Sequence, residues 1–426
     1  MADDDKEEPT NPFAGTPMEH LMGAFGNGDF DMTQILGQVQ RMLAPHDGTV
    51  NFDLAKEVAR HTLAAAGPDP SPHAGHVGAV NDAARLAEMW LDSATSLPAG
   101  AQTAAAWSKA EWIEATAETW HTLVEPIAAH VVQAMTDAMP AEAKAFAGPL
   151  LGMLTQASGA MFGQQIGQAL GALAGEVLSS TDIGLPLTTD KVAAVIPSTI
   201  GDFGDGLEHS KADVMLYVML RECAHQRLFA HATWLRPALL GAIEEFGRGT
   251  RIDTASIEAQ LREIDPSRPE DLQDALTGGL FEPERTPEQQ RALTRLETLL
   301  AYVEGWVADV VATATADRMP SAPALAEAMR RRRATGGPAE RTFAALVGLE
   351  MRPRRLREAT TVWAAMRDGH GIDARDAAWS HPDLMPTTQD LDDPLAFAQR
   401  GPRASSDQDF DTALGAWLAQ DDSDES

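Results

Sequence analysis

Between Ala145 and Gly175 the chain carries no charged residue, and Gly159, Gly163, Gly167, Gly171 and Gly175 recur at every fourth position. Few folds accept that pattern. On a helix, a four-residue period lays a ribbon of bare backbone along one side, which invites a second helix to approach closely. Without that partner each glycine weakens the helix by about 1 kcal/mol relative to alanine. A membrane span can use the same spacing, but Gln156, Gln164, Gln165 and Gln168 interrupt this one, and its glycines dilute the hydrophobicity. The stretch therefore reads as a tightly packed central helix inside a soluble core.

The rest of the chain agrees with a mainly α fold. Leu54 to Ala66, Val80 to Thr95 and Ala110 to Met139 are alanine-rich, with apolar residues three and four apart. Alternation of the strand kind is scarce. Lys191 to Ile200 is the best candidate, and Pro197 breaks it. Residues 1–45 form an acidic and then glycine-rich segment without sustained period, and 403–426 a second acidic one. Both are expected to be mobile tails around a helical body over 46–402.

With 33 basic and 63 acidic side chains the formal charge is −30. Nucleic-acid binding depends on basic residues displacing counterions, and anionic membrane surfaces attract the same residues, so neither partner is expected. Cys223 is the single cysteine, which leaves no internal disulfide. The N-terminus has no basic start followed by an apolar run, and together these features point to the cytoplasm. Arginines gather at Arg330 to Arg333, Arg341, Arg352, Arg354, Arg355 and Arg357, interleaved with Glu327, Glu340, Glu350 and Glu358. That mixture reads as structural ion pairing. Neither a phosphate-binding glycine loop nor a serine-nucleophile elbow is present.

Chemistry concentrates in one stretch, MLRECAHQRLF, Met219 to Phe229. Ser210 is placed to cap a helix starting at Lys211, with Asp213 in its first turn. At 100° per residue Arg221 and His225 lie about 40° apart on one face, with Glu222 about 60° from His225. Glu222 and His225 thus stand where the zinc-peptidase motif His-Glu-x-x-His needs them, but Arg221 stands where its first histidine would be. A guanidinium stays protonated and has no lone pair for a metal. Downstream, Thr286, Pro287 and Gln289 mark a helix start. Glu304 then sits at the edge of the stripe Leu293, Leu296, Leu300, Val307 and Val311. A half-buried carboxylate needs a cation or hydrogen-bond donors, and Arg221 is one candidate for that cation. Cys223 points some 160° away from His225 and reads as a packed side chain. His209 and His231 are poorly spaced to be ligands.

Taken together, RECAHQRLFAHATWL, LETLLAYVEGWVADVV, the segment RRRRATGGPAERTFAALVGLEMRPRRLREA and HPDLMPTTQDLDDP resemble an actinobacterial family. Its members are described as hydrolases or zinc-dependent metalloproteases of zincin-like fold, and a sister branch is associated with biosynthesis of a deazaflavin coenzyme. The resemblance runs from about Trp107 to Pro394. It implies a zincin-like helical core, Glu222 as general base, and His225 and Glu304 as ligands to a zinc ion, with Arg221 as the departure from the pattern. Two functions follow. One is a zinc-dependent metalloprotease or hydrolase acting on a peptide or protein. The other is a degenerate zincin scaffold that binds a protein or peptide without cutting it, with an Arg221–Glu304 ion pair where the metal would be.

Overall fold

In this computed structural model the described residues are 46–137, 148–189, 191–249, 286–334 and 355–400. Both terminal segments, and Arg341, Arg352 and Arg354, lie outside them. The described chain is mainly helical: α1 Phe52–Ala66, α2 Ala74–Leu91, β1 Thr103–Ala106, α3 Lys109–Asp137, α4 Gly148–Glu176, β2 Val192–Val195 and α5 Pro197–Gly204 come first. They are followed by α6 Lys211–His231, α7 Leu235–Arg248, α8 Pro287–Thr315, α9 Ala322–Ala334, α10 Leu356–Ala377 and, after three short 3₁₀ turns, α11 Pro394–Arg400. None of these helices is long and apolar enough to cross a membrane.

The glycine ribbon lies on α4, and α1 covers it. A Cβ added at Gly163 would sit 2.4 Å from the Asn51 carbonyl oxygen, at Gly167 2.4 Å from that of Ala55, and at Gly171 2.6 Å from that of Ala59. Three successive turns of one helix therefore meet three successive turns of the other in the same direction, backbone against backbone. Gly175 has nothing within 4 Å of its missing Cβ, so the close contact ends one turn earlier.

Local signals place the two helices that matter most for the site. The Ser210 hydroxyl accepts the Asp213 N–H and starts α6. Thr286 and Gln289 form a reciprocal capping box with Pro287 at the first helical position, and α8 begins there. From Val214 to Leu228 almost every residue of α6 is buried, because α2, α5, α8 and β2 all pack around it. The expected strand over Lys191 to Ile200 is shorter in the structure. It stops at Val195, since Pro197 starts α5 instead. The strand β2 pairs in parallel with β1, Thr103 opposite Val192 through Ala106 opposite Val195.

Two fully buried arginines tie the bundle together. Arg227 on α6 donates to Glu88 and Asp92 of the α2 end and to the Leu97 carbonyl. Arg375, with no exposed surface, donates to Asp376, Asp309 and the Ala94 carbonyl. Asp376 in turn accepts from Thr95, Ser96 and Trp306. Every charge in these networks has partners, so they hold α2, α6, α8 and α10 in register rather than offering a reactive group.

Candidate functional site

The site forms where the middle of α6 meets the middle of α8, walled by the loop after α4 and by the end of α9. Arg221 Nη2 lies 2.5 Å from Glu304 Oε2. The other carboxylate oxygen, Oε1, lies 3.1 Å from His225 Nε2. The imidazole is oriented from behind, its Nδ1 2.9 Å from the Arg221 carbonyl oxygen one turn earlier. That carbonyl can only accept, so Nδ1 carries a hydrogen and Nε2 is turned to Glu304. A second guanidinium, from Arg333 at the end of α9, also pairs with Glu304 Oε2, and its Nη2 donates to the Asp182 carbonyl at 2.7 Å. All of these side chains are nearly out of water: 9% of Arg221, 5% of Glu304, 2% of His225 and 16% of Arg333 remain accessible.

Electrostatics follows from that packing. Burial opposes ionisation of Glu304, but Arg333, His225 and Arg221 outweigh it and hold its carboxyl well below the usual carboxylate range. Burial likewise works against the Arg221 charge, while the Glu304 carboxylate more than restores it and raises it above the ordinary arginine value. Tyr217, one turn before Arg221, is pushed up by burial despite that arginine. The phenol therefore stays neutral beside the ion pair. Gly184, at φ +77°, brings the α4–β2 loop against the carboxylate, and a Cβ there would meet Glu304 Oε1 at 3.0 Å.

Glu222 belongs to a different group of residues. It is fully buried, and its Oε1 accepts the Ser180 hydroxyl at 2.5 Å and the Gln226 amide at 2.9 Å. Its Oε2 accepts the Thr181 hydroxyl at 2.6 Å and the Thr181 N–H at 3.1 Å. Four donors match the four lone-pair directions of an ionised carboxylate. The structure thus brings Arg221, His225 and Glu304 together and sets the Glu222 carboxylate on the loop at Ser180 and Thr181.

The remaining candidates stand apart. Cys223 is buried, and burial followed by Glu88 pushes its thiol well above the usual range. His231 is exposed and lies 3.1 Å from the Pro98 carbonyl oxygen. Of the arginine run, Arg330 and Arg331 pair with Glu327, and Arg332 pairs with Asp182 at 2.9 Å. Sequence reasoning did not single out Arg333. Four arginines in a row look alike, and Glu304 is 29 positions away on another helix. Tyr217 was within reach, since a residue four before Arg221 shares its helix face.

The comparisons bear on this geometry. A family model described as zincin-like metallopeptidase matches residues 50–398. The chain belongs to that family. Among solved structures, it resembles one described as a putative hydrolase with a novel fold, from Chloroflexus aurantiacus. The TM-score is 0.58 at 19% identity, over 82% of this chain and 98% of that one, which shows a shared fold. Comparison with curated proteins finds no match.

Zincin-like metallopeptidases imply a zinc ion, and the donor set here can be tested against one. A zinc site needs three protein ligands of nitrogen, oxygen or sulfur around an open position. Among the described residues no three His, Cys, Asp or Glu side chains converge in that way. His225 and Glu304 supply two donors, and the position of a third is taken by a guanidinium already bound to Glu304. As they stand, these residues do not fit zinc.

Proposed function

We propose that this zincin-fold chain binds a peptide or protein segment without cutting it, and that Arg221 holds the charge a metal ion would have carried. The observation that carries this reading is the Arg221 guanidinium 2.5 Å from Glu304, on the face shared with His225. An arginine in that place neutralises the carboxylate, orients it and cannot activate water. The occupied lone pairs of Glu222 support the same conclusion. A general base must face the proton it removes, whereas this carboxylate accepts from Ser180, Thr181 and Gln226. Peptide or protein is the ligand class because the family is one of peptidases.

A second reading, a zinc-dependent hydrolase with Glu222 as base and His225 and Glu304 as ligands, has one observation in its favour. His225 Nε2 and Glu304 Oε1 are 3.1 Å apart with Nδ1 fixed by a backbone carbonyl, which is how two ligands of one ion are commonly held. Elemental analysis separates the two. Protein purified without chelator should carry no stoichiometric zinc and should retain peptides from a mixed library intact, as read by mass spectrometry. One zinc per chain, with peptide cleavage abolished by Glu222→Gln, would establish the hydrolase. Arg221→His adds a further check, since it supplies a third nitrogen donor beside His225 and Glu304. On the scaffold reading that variant gains tight zinc binding which the wild-type chain lacks.

A further inference from the structure

Two arginines share one carboxylate at Glu327 and again at Glu304, but the Glu327 group stands in water whereas the Glu304 group is buried. Arg332 is paired with Asp182, Arg330 and Arg331 with Glu327, but Arg221 and Arg333 both fall on the single carboxylate of Glu304. Leaving His225 aside, two guanidiniums share the Glu304 charge at a helix interface almost closed to water, the Asp182 carboxylate beside them being paired with Arg332. Excess charge in such surroundings is costly and attracts a counter-ion. Arg333 is the more accessible of the two, at 16% against 9%, so it marks the side from which an anion can arrive. Its planar fork suits a flat, two-oxygen group.

We infer that Arg333 and Arg221 form a binding site for a carboxylate of the ligand, such as the C-terminus of a peptide. The incoming carboxylate takes one edge of the Arg333 guanidinium, Glu304 keeps Arg221, and the two cations then face two anions. This rests on the scaffold reading, because a zinc ion at His225 and Glu304 would itself compete with Arg333 for the ligand carboxylate.

The test uses the full chain and two probes, N-acetyl-Ala-Ala with a free C-terminus and its C-terminal amide. Thermal unfolding and calorimetric titration should show a saturable effect of the free acid and none of the amide. Arg333→Gln should weaken that binding by about tenfold or more, as expected for a charge-assisted contact. The same variant without ligand should unfold no earlier than wild type, because it removes the surplus cation and leaves Arg221 on Glu304. A merely structural Arg333 would instead lower the unfolding temperature and leave the difference between acid and amide untouched. Equal binding of acid and amide, no binding of either, or undiminished binding by Arg333→Gln would overturn the inference, as would inorganic phosphate binding where the acid does not. Zinc is measured on the same samples. Metal-free protein that ignores the acid sinks this site alone, whereas stoichiometric zinc sinks the scaffold reading beneath it.

Discussion

Truncating Arg221 leaves Glu304 with Arg333 and His225 on a nearly dry helix interface. Glu304 is not stranded, so Arg221→Ala should lose the worth of one charge-assisted hydrogen bond, about 1.5–3 kcal/mol. Chemical denaturation with a two-state fit measures it, and an unchanged midpoint would mean that Arg221 is dispensable to Glu304. Glu222→Gln tests a separate point. The amide presents an NH₂ where an oxygen accepted from Ser180 or Thr181, so at least one buried donor loses its partner. That should cost about 1–3 kcal/mol of stability. A Glu222 that mattered for chemistry alone would leave the unfolding curve in place. At this scale the sequence revealed residue types and spacing: Arg221, His225 and Glu304 were all readable from helix geometry and an apolar stripe. The direction in which the Glu222 carboxylate turns was not, because it depends on a loop 42 positions away.

Among the elements, α1 and α4 make the most exacting contact. Gly167→Leu would drive a side chain into the Ala55 carbonyl and Val58, where even a Cβ approaches within 2.4 and 2.6 Å. Overpacking usually costs 1–3 kcal/mol, and backbone in the way puts this case at roughly 3 kcal/mol or more. Gly175→Ala is the control. It has open space at that position and should be neutral or slightly stabilising, as helix propensity alone dictates. Comparable losses at both sites would show that close approach to α1 does not set the cost. Elements with local punctuation could be read in advance: α6 from Ser210 and α8 from Thr286 and Pro287. The strand β1 could not. Its sequence, TAAA, has weak strand preference, and it exists because β2, some 90 residues on, supplies the ladder.

For the molecule as a whole, the acidic surplus sets which partners can approach. At −30 the overall field repels polyanions, and the arginine run on α9 is committed to Glu327, Asp182 and Glu304. Electrophoretic mobility assays at low salt should therefore show no retarded DNA or RNA complex. A complex with steep salt dependence would point back to Arg330 to Arg333. Charge of that size does not prevent a small acidic ligand from entering a site whose local sign is opposite, since fields are decided within about a Debye length, ~10 Å at 0.1 M salt.

The packing of Cys223 makes the chain its own probe of helix opening. It is the only thiol, lies between Glu222 and Ala224, and is kept protonated and out of water by its surroundings. Reaction with a thiol-specific reagent must then wait for α6 to loosen, so the labelling rate counts those openings directly. A bound ligand that clamps Arg221 and Arg333 should slow that clock, and Arg221→Ala should quicken it.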